Sequence, residues 1–317
     1  MIQSRRFAAH LASLALALAL SACGGGGAST ATPATDQSAV RTIADPGAPV
    51  LTGNTATDGF NQINFRRQQM GLTVLSRNRQ VDIAAQGHSN YQKINDTITH
   101  TQIPGSQGFT GTEVANRLTA ANYAFTSTTG YAFGEVIAAS GDLSGAANAD
   151  DLITAIYHRF VIFEPKFKEA GAGSAGLSAT GYNFFTVDFT ANGLSGGVGT
   201  GQLAVYPFTG QQNVSPIFYS DQESPDPIPG QNAVGYPVSV HADIDATVLT
   251  QRFTITPRGG VALATRLLIH ADDPETPTSA AAIVPLTVLT AATIYDVQFI
   301  GTVSGVAVTR NWSFTTR

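Results

Sequence analysis

Cysteine is nearly absent. Cys23 is the only one among 317 residues, so no disulfide can form within the chain and a cystine-stapled fold is excluded. Charge is scarce as well: Asp, Glu, Lys and Arg make up 12% of the residues, about half of the roughly 25% usual for soluble domains. Seventeen basic against 22 acidic residues leave a net charge of −5. No basic surface is available to neutralise a phosphate backbone, and no nucleic-acid partner is expected. No His-Glu-x-x-His, Walker or EF-hand pattern occurs. What the chain does have is a 43% apolar content, enough to bury real cores, and a length that suggests about two domains. Gly, Ser, Thr, Asn and Ala supply the polar surface that charge does not, which suits an exported protein.

The first residues point the same way. Arg5 and Arg6 precede a run from Phe7 to Leu20 that only His10 and Ser13 interrupt. An apolar run of about a dozen residues is too short to span a bilayer, but it fits the h-region of an export signal. Leu20-Ser21-Ala22-Cys23 then resembles the lipobox of bacterial lipoproteins. Residues 1–22 read as the signal peptide, and Cys23 as the lipidated first residue of the mature protein. Several acyl chains, at about 0.8 kcal/mol per buried methylene, would hold the protein at a membrane. Gly24 after the cysteine resembles the pattern sorted to the outer membrane of Gram-negative bacteria. Residues 23–54 form the lipidated cysteine and a Gly/Ala/Thr/Pro-rich tether with a reach of roughly 30 Å.

Periodicity divides the remainder into residues 55–200 and 201–317. Phe60, Ile63, Arg67 and Met70 recur at helical spacing before Gly71. A second stripe joins Val81, Ala84, Ala85, His88 and Tyr91. Thr110-Gly111-Thr112-Glu113 has the capping-box form ahead of a third helix, and a fourth is predicted from Asn148 to Tyr157. Beyond Pro165, Glu169–Ser174 and Tyr182–Thr190 read as strands. Helices around a small antiparallel sheet give an α+β class. Gly193–Gly201 reads as a hinge. After it short strands alternate with Pro/Gly/Asp clusters, among them the hairpin that turns at Ser304-Gly305, and about seven strands suggest a β-sandwich.

Three residues could act together: His100 in a loop, Glu135 in Gly134-Glu135-Val136-Ile137-Ala138, and His158 at the predicted end of the fourth helix. Two imidazoles and a carboxylate can hold Zn²⁺ and leave one position for a water. A helix C-terminus would favour the imidazolium of His158 in any case.

The run Asn64-x-x-Arg67-x-x-x-Gly71-Leu72-x-x-Leu75-x-x-Asn78, followed by Ala84-x-x-x-His88-Ser89, His100, Gly134-Glu135, His158-Arg159, Pro165 and Gly171-x-Gly173, resembles the bacterial branch of the CAP (SCP-like extracellular) superfamily over about residues 58–191. The resemblance implies an α-β-α sandwich with a small antiparallel sheet. It also implies a cleft whose tetrad of two histidines and two acids can bind a divalent metal. His100, Glu135 and His158 match that tetrad; the second acid has no counterpart in Ile153-Thr154-Ala155-Ile156-Tyr157, and Val136 stands where the family has asparagine. A metal such as zinc, if held, is therefore expected to be held weakly. The C-terminal part, with Tyr295-x-Val297 and Trp312-x-Phe314, resembles bacterial Ig-like modules.

The remaining candidates read as structural. His88 lies on an apolar stripe and is expected to be hydrogen-bonded and partly buried; Glu113 caps a helix; His241 and His270 are expected at the surface. Gly171-x-Gly173-x-x-Gly176 fits a dinucleotide fingerprint, but a strand follows it and it reads as a β-turn region. Gly193-Leu194-Ser195-Gly196-Gly197 fits a nucleophile elbow, but it lies in the hinge. Two functions follow. The first is an envelope-anchored binding or interaction protein, with an unidentified envelope or extracellular ligand and no assigned chemistry. The alternative is a zinc-dependent hydrolase of peptide or murein using His100, Glu135 and His158. In that case Glu135 cannot be both metal ligand and general base.

Overall fold

The computed structural model describes residues 2–5 and 45–317. Most of the expected signal peptide, Cys23 and most of the tether lie outside the described residues. No described helix is long and apolar enough to cross a membrane.

The first half is built on one sheet in the order β1-β3-β5-β4-β2. Its strands are β1 (Ile2–Arg5), β2 (Ser76–Arg77), β3 (Tyr131–Ser140), β4 (Glu169–Leu177) and β5 (Asn183–Asn192). Two-residue alternation decides which side chains reach which layer. Val136 on β3, Ala170 and Ala172 on β4, and Phe185, Val187 and Phe189 on β5 share one apolar cluster with Phe60 and Ile63 of α1 (Thr55–Gln69) and Leu152 of α4 (Gly145–Thr154). Each fully buried phenylalanine there contributes roughly 1.5–3 kcal/mol. On the opposite face Phe133 packs with Val81 and Ala84 of α2 (Arg79–Asn95) and with Val114 and Leu118 of α3 (Val114–Ala120). The result is the expected α-β-α sandwich.

Local chemistry sets the boundaries. Asn54 caps α1 by accepting from the N–H of Thr57, and Asn78 caps α2 by accepting from Gln80 and Val81. Gly71 takes φ +77° where α1 ends. Gly171 and Gly173 are not a turn: they lie within β4, and a Cβ on them would meet the backbone of Asp82 at 2.1 Å and of Gln86 at 2.3 Å, respectively. Their missing side chains let α2 lie directly on the strand. The third helix begins later than the Thr110 pattern suggests, with Glu113 itself as N-cap in a capping box with Asn116. Thr110 is engaged instead with Gln102.

The predicted fourth helix is two. Ala155, extended at ψ 119°, separates α4 from α5 (Ile156–Ile162). His158 therefore sits in the first turn of a helix, and no helix C-terminus favours its imidazolium.

The second half contains nine strands: β6 (Ala204–Tyr206), β7 (Ile217–Tyr219), β8 (Ala233–Gly235), β9 (Val238–His241), β10 (Val248–Pro257), β11 (Thr265–Leu268), β12 (Ala280–Pro285), β13 (Ile294–Val303) and β14 (Val306–Thr315). A three-stranded sheet, β10-β13-β14, and a four-stranded sheet, β11-β12-β9-β6, accompany the β7-β8 ribbon. Ser304-Gly305 turns the β13-β14 hairpin as expected, both residues at positive φ.

The two halves are not separated by a free hinge. Asp243 accepts from the N–H groups of Val198 and Gly199, and Lys168 Nζ donates to Ser195 Oγ. A single apolar cluster runs from Phe163 and Phe167 into Tyr206, Val238 and Ile283. Arg159, fully buried, donates to the carbonyl of Pro237 and lies about 5 Å from the ring centres of Tyr206 and Tyr236. His241, expected at the surface, is buried at this junction. The rings of Phe160 and Phe163 meet it edge-on, and burial, reinforced by Arg159, pushes its imidazole down to about 3. The strand's alternation could not show this, because the covering surface comes from the other half. His270 is exposed, as expected, and its Nδ1 meets the carbonyl of Thr276.

Candidate functional site

Glu135 is placed by β3 on the face that α2 and α3 cover, and its side chain is wholly buried. Both oxygens are engaged. Arg117 of α3 donates from a terminal guanidinium nitrogen to Oε2 at 2.6 Å, and His100 Nδ1 lies 2.8 Å from Oε1. Arg117 also donates to the carbonyl of His100 at 3.0 Å, so one cation fixes both the carboxylate and the loop that carries the imidazole. The buried ring of His88 stands 3.8 Å from Oε1.

Electrostatics follow from this packing. Burial alone would raise the Glu135 carboxyl, but Arg117, then His88 and His100, hold it well below the usual carboxylate range. Directly across the sheet, Asp188 of β5 is paired in register with Glu135. Burial and the neighbouring charge of Glu135 drive the Asp188 carboxyl well above its ordinary value, so one of the two acids is ionised and the other holds a proton. His88 is also neutral: burial outweighs the pull of Glu135 and lowers it to about 4. It bonds to the carbonyl of Thr99 at 2.7 Å and to the side chain of Gln102 at 2.9 Å. The expectation of a hydrogen-bonded His88 holds, though it is fully rather than partly buried.

The accessible parts of the arrangement are the imidazoles. The His100 side chain is 42% exposed and that of His158 is 21% exposed, against 0% for Glu135. Partial burial holds His100 below the ordinary histidine value despite its carboxylate partner, and His158 is near enough to add to that depression. An ionised carboxylate accepts but cannot donate. Glu135 therefore requires the proton of neutral His100 to sit on Nδ1, which leaves the lone pair on Nε2.

His158 does not join Glu135. Its Nδ1 lies 3.1 Å from Oε1 of Glu223, a buried residue of the second half. Among the described residues no group of three or more His, Cys, Asp or Glu side chains is placed to hold a metal ion. With Glu135 turned onto Arg117 and His100, the three-ligand centre read from the sequence does not fit this geometry. A cavity of about 320 Å³ at the junction, lined by Met70, Leu72, Pro165 and Val198 among others, includes none of these side chains.

Three contributors were missed. Arg117 acts through spacing that only the folded helices create, and Glu223 is remote in sequence. Asp188 left a signal: Thr186, Asp188 and Thr190 form the polar face of a strand whose other face is Phe185, Val187 and Phe189.

The first half is thus an α-β-α sandwich that buries a glutamate behind a histidine-bearing loop. Residues 60–189 match the family described as CAP, the cysteine-rich secretory protein family, and this part of the chain is a CAP domain. Among solved structures, the chain is similar to an extracellular SCP-domain protein of Bacillus anthracis, at 23% identity over 45% of this chain and 44% of that one, with a TM-score of 0.36. It is also similar to an outer surface protein of Borrelia burgdorferi, at 18% identity over 42% of this chain and 88% of that one, TM-score 0.34. A third is venom allergen-like protein 4 of Schistosoma mansoni, at 13% identity over 45% and 90%, TM-score 0.30. The chain thus spans less than half the length of the Bacillus protein. No curated protein matches it.

Proposed function

We propose that this chain is an exported, lipid-anchored envelope protein whose CAP domain is a binding module. Its recognition surface is a shallow cleft around His100 and His158, backed by Glu135. The observation that carries this reading is the state of Glu135: buried, ionised and engaged through both oxygens, it orients His100 and is not free to take a proton from water. A hydrolase acting through Glu135 is disfavoured by the same geometry. The imidazole Nε2 atoms suit a ligand that offers hydrogen-bond donors or a weakly held cation. Without a third protein ligand, zinc would have two imidazoles and otherwise water, short of the three or four protein ligands of established sites.

Calorimetric titration with zinc is the direct test. Weak binding is expected, and it should be lost in the His100→Ala/His158→Ala double variant; equal affinity in that variant would remove these rings from the recognition surface. Membrane attachment is tested separately. Cys23→Ser is expected to move the protein from the membrane to the soluble fraction, and a variant that still sediments with membranes would contradict lipid anchoring.

A further inference from the structure

The sequence motif offers no second acid for His158, yet a carboxylate is there. It comes from the other half of the chain. Residues Ser220–Gln222 form a single 3-10 turn, and Glu223 follows it directly, 3% exposed. Its Oε2 accepts the N–H of Ile156 at 2.7 Å; its Oε1 accepts the N–H of Tyr157 at 2.6 Å and that of His158 at 3.2 Å. The same Oε1 meets His158 Nδ1 at 3.1 Å.

Helix α5 needs such a partner. Its N-cap is Ala155, which has no side-chain oxygen and makes no capping bond. The first N–H groups of a helix have no partner inside it, and a carboxylate among them is favoured by both hydrogen bonding and the helix dipole. Capping explains the three backbone bonds. It does not require the fourth contact, which is to the imidazole. The second half also packs against the neighbouring residue, since Tyr157 lies on the apolar cluster that includes Phe218, Val234 and Leu268.

The fourth contact has a chemical consequence. A carboxylate that already receives three N–H groups has only acceptor capacity to offer a ring nitrogen. Neutral His158 therefore carries its proton on Nδ1 and its lone pair on Nε2. His100 reaches the same state through Glu135. In metal and binding sites a carboxylate behind one imidazole nitrogen fixes the tautomer and ring orientation and makes the other nitrogen a better donor of its lone pair. Here two carboxylates do this from the two halves of the chain.

We propose that Glu223 is a positioning residue: it holds His158 as the Nδ1–H tautomer with Nε2 turned to the ligand, so the second half completes the recognition surface instead of merely spacing it. This rests on the binding-module reading for its purpose, but its test needs no ligand. Long-range ¹H–¹⁵N correlation spectra of the full chain with labelled histidine report which ring nitrogen is protonated. The six histidines are few enough to assign His158 by subtraction in His158→Gln.

In the wild type at about pH 8, where an ordinary imidazole is neutral, His158 is expected to show a protonated Nδ1. In Glu223→Ala that signature should be lost in favour of the Nε2–H form that a free side chain prefers, while His100 keeps its own. A wild-type His158 protonated on Nε2 overturns the proposal. So does a Glu223→Ala spectrum in which the amides of Ile156 and Tyr157 move and the His158 tautomer does not, because Glu223 would then only cap the helix. If Glu223→Ala does not fold, the wild-type spectrum decides alone. Failure of zinc to bind would leave this result untouched, so the two ideas can fail separately.

Discussion

Arg117→Met is expected to lower the stability of the chain by about 3–5 kcal/mol, the usual cost of leaving one partner of a buried ion pair uncompensated. The size follows from what Arg117 does. It is 1% exposed, supplies the closest cation to the wholly buried Glu135, and tethers the backbone at His100 and Thr112. Without it Glu135 loses its guanidinium partner, while the neutral imidazoles and Asp188 stay beside it. The sign with pH is fixed by the depressed Glu135 carboxyl: its stabilising contribution is present above the ordinary carboxylate value and is lost as pH falls through the lower folded value. Adding Glu135→Gln to Arg117→Met should recover part of the loss, since the two residues are coupled and the uncompensated charge is then gone. Urea denaturation of the wild type and both variants at neutral pH measures the loss and its recovery, and repeating it at falling pH measures the sign. A single variant within about 1 kcal/mol of wild type, a range common for surface pairs, would mean that the pair is solvated in solution.

The second large effect belongs to Glu164, at the junction of the two halves. Its Oε1 accepts the N–H groups of Lys166 at 2.9 Å and of Ile244 at 3.0 Å. Burial, helped by the nearby charge of Asp243, nevertheless outweighs these bonds and the charge of Arg67, and raises the carboxyl to about 8. An acid raised in the folded state keeps its proton there while the unfolded chain releases it. The associated stability is complete below about 4.5, the ordinary value, and is lost as pH rises to about 8. At 1.36 kcal/mol per unit the loss across that window is on the order of 5 kcal/mol. Glu164→Gln keeps an acceptor for both N–H groups and cannot ionise. Its stability relative to wild type should therefore climb between pH 5 and 8, by roughly that amount. Urea midpoints of the two proteins that stay parallel across this range would show that Glu164 titrates normally.

These effects bear on what a sequence can disclose. Periodicity located α1 and α2, and the alternation of Phe185, Val187 and Phe189 located β5, because one face of each is buried by its own half. The hairpin at Ser304-Gly305 was legible because a tight turn needs residues that accept positive φ. His241 was misread for the opposite reason: what buries it is a helix about 80 residues earlier in the chain. The break at Ala155 was invisible because the residue that lets α5 start there, Glu223, belongs to the other half. In the candidate site His100 and Glu135 were found by their order along the chain and do touch. His158 was found too, but not its partner. The glycines at 171 and 173 were read as a turn, although they mark where a helix presses against a strand.

The apolar cluster that passes from Phe163 and Phe167 to Val238 and Ile283 joins the cores of the two halves. Damage to the β-rich half is therefore expected to weaken the CAP domain as well. The boundary near residue 200 is a change of architecture along the chain and not a place to cut it: a shortened fragment would present raw core to water.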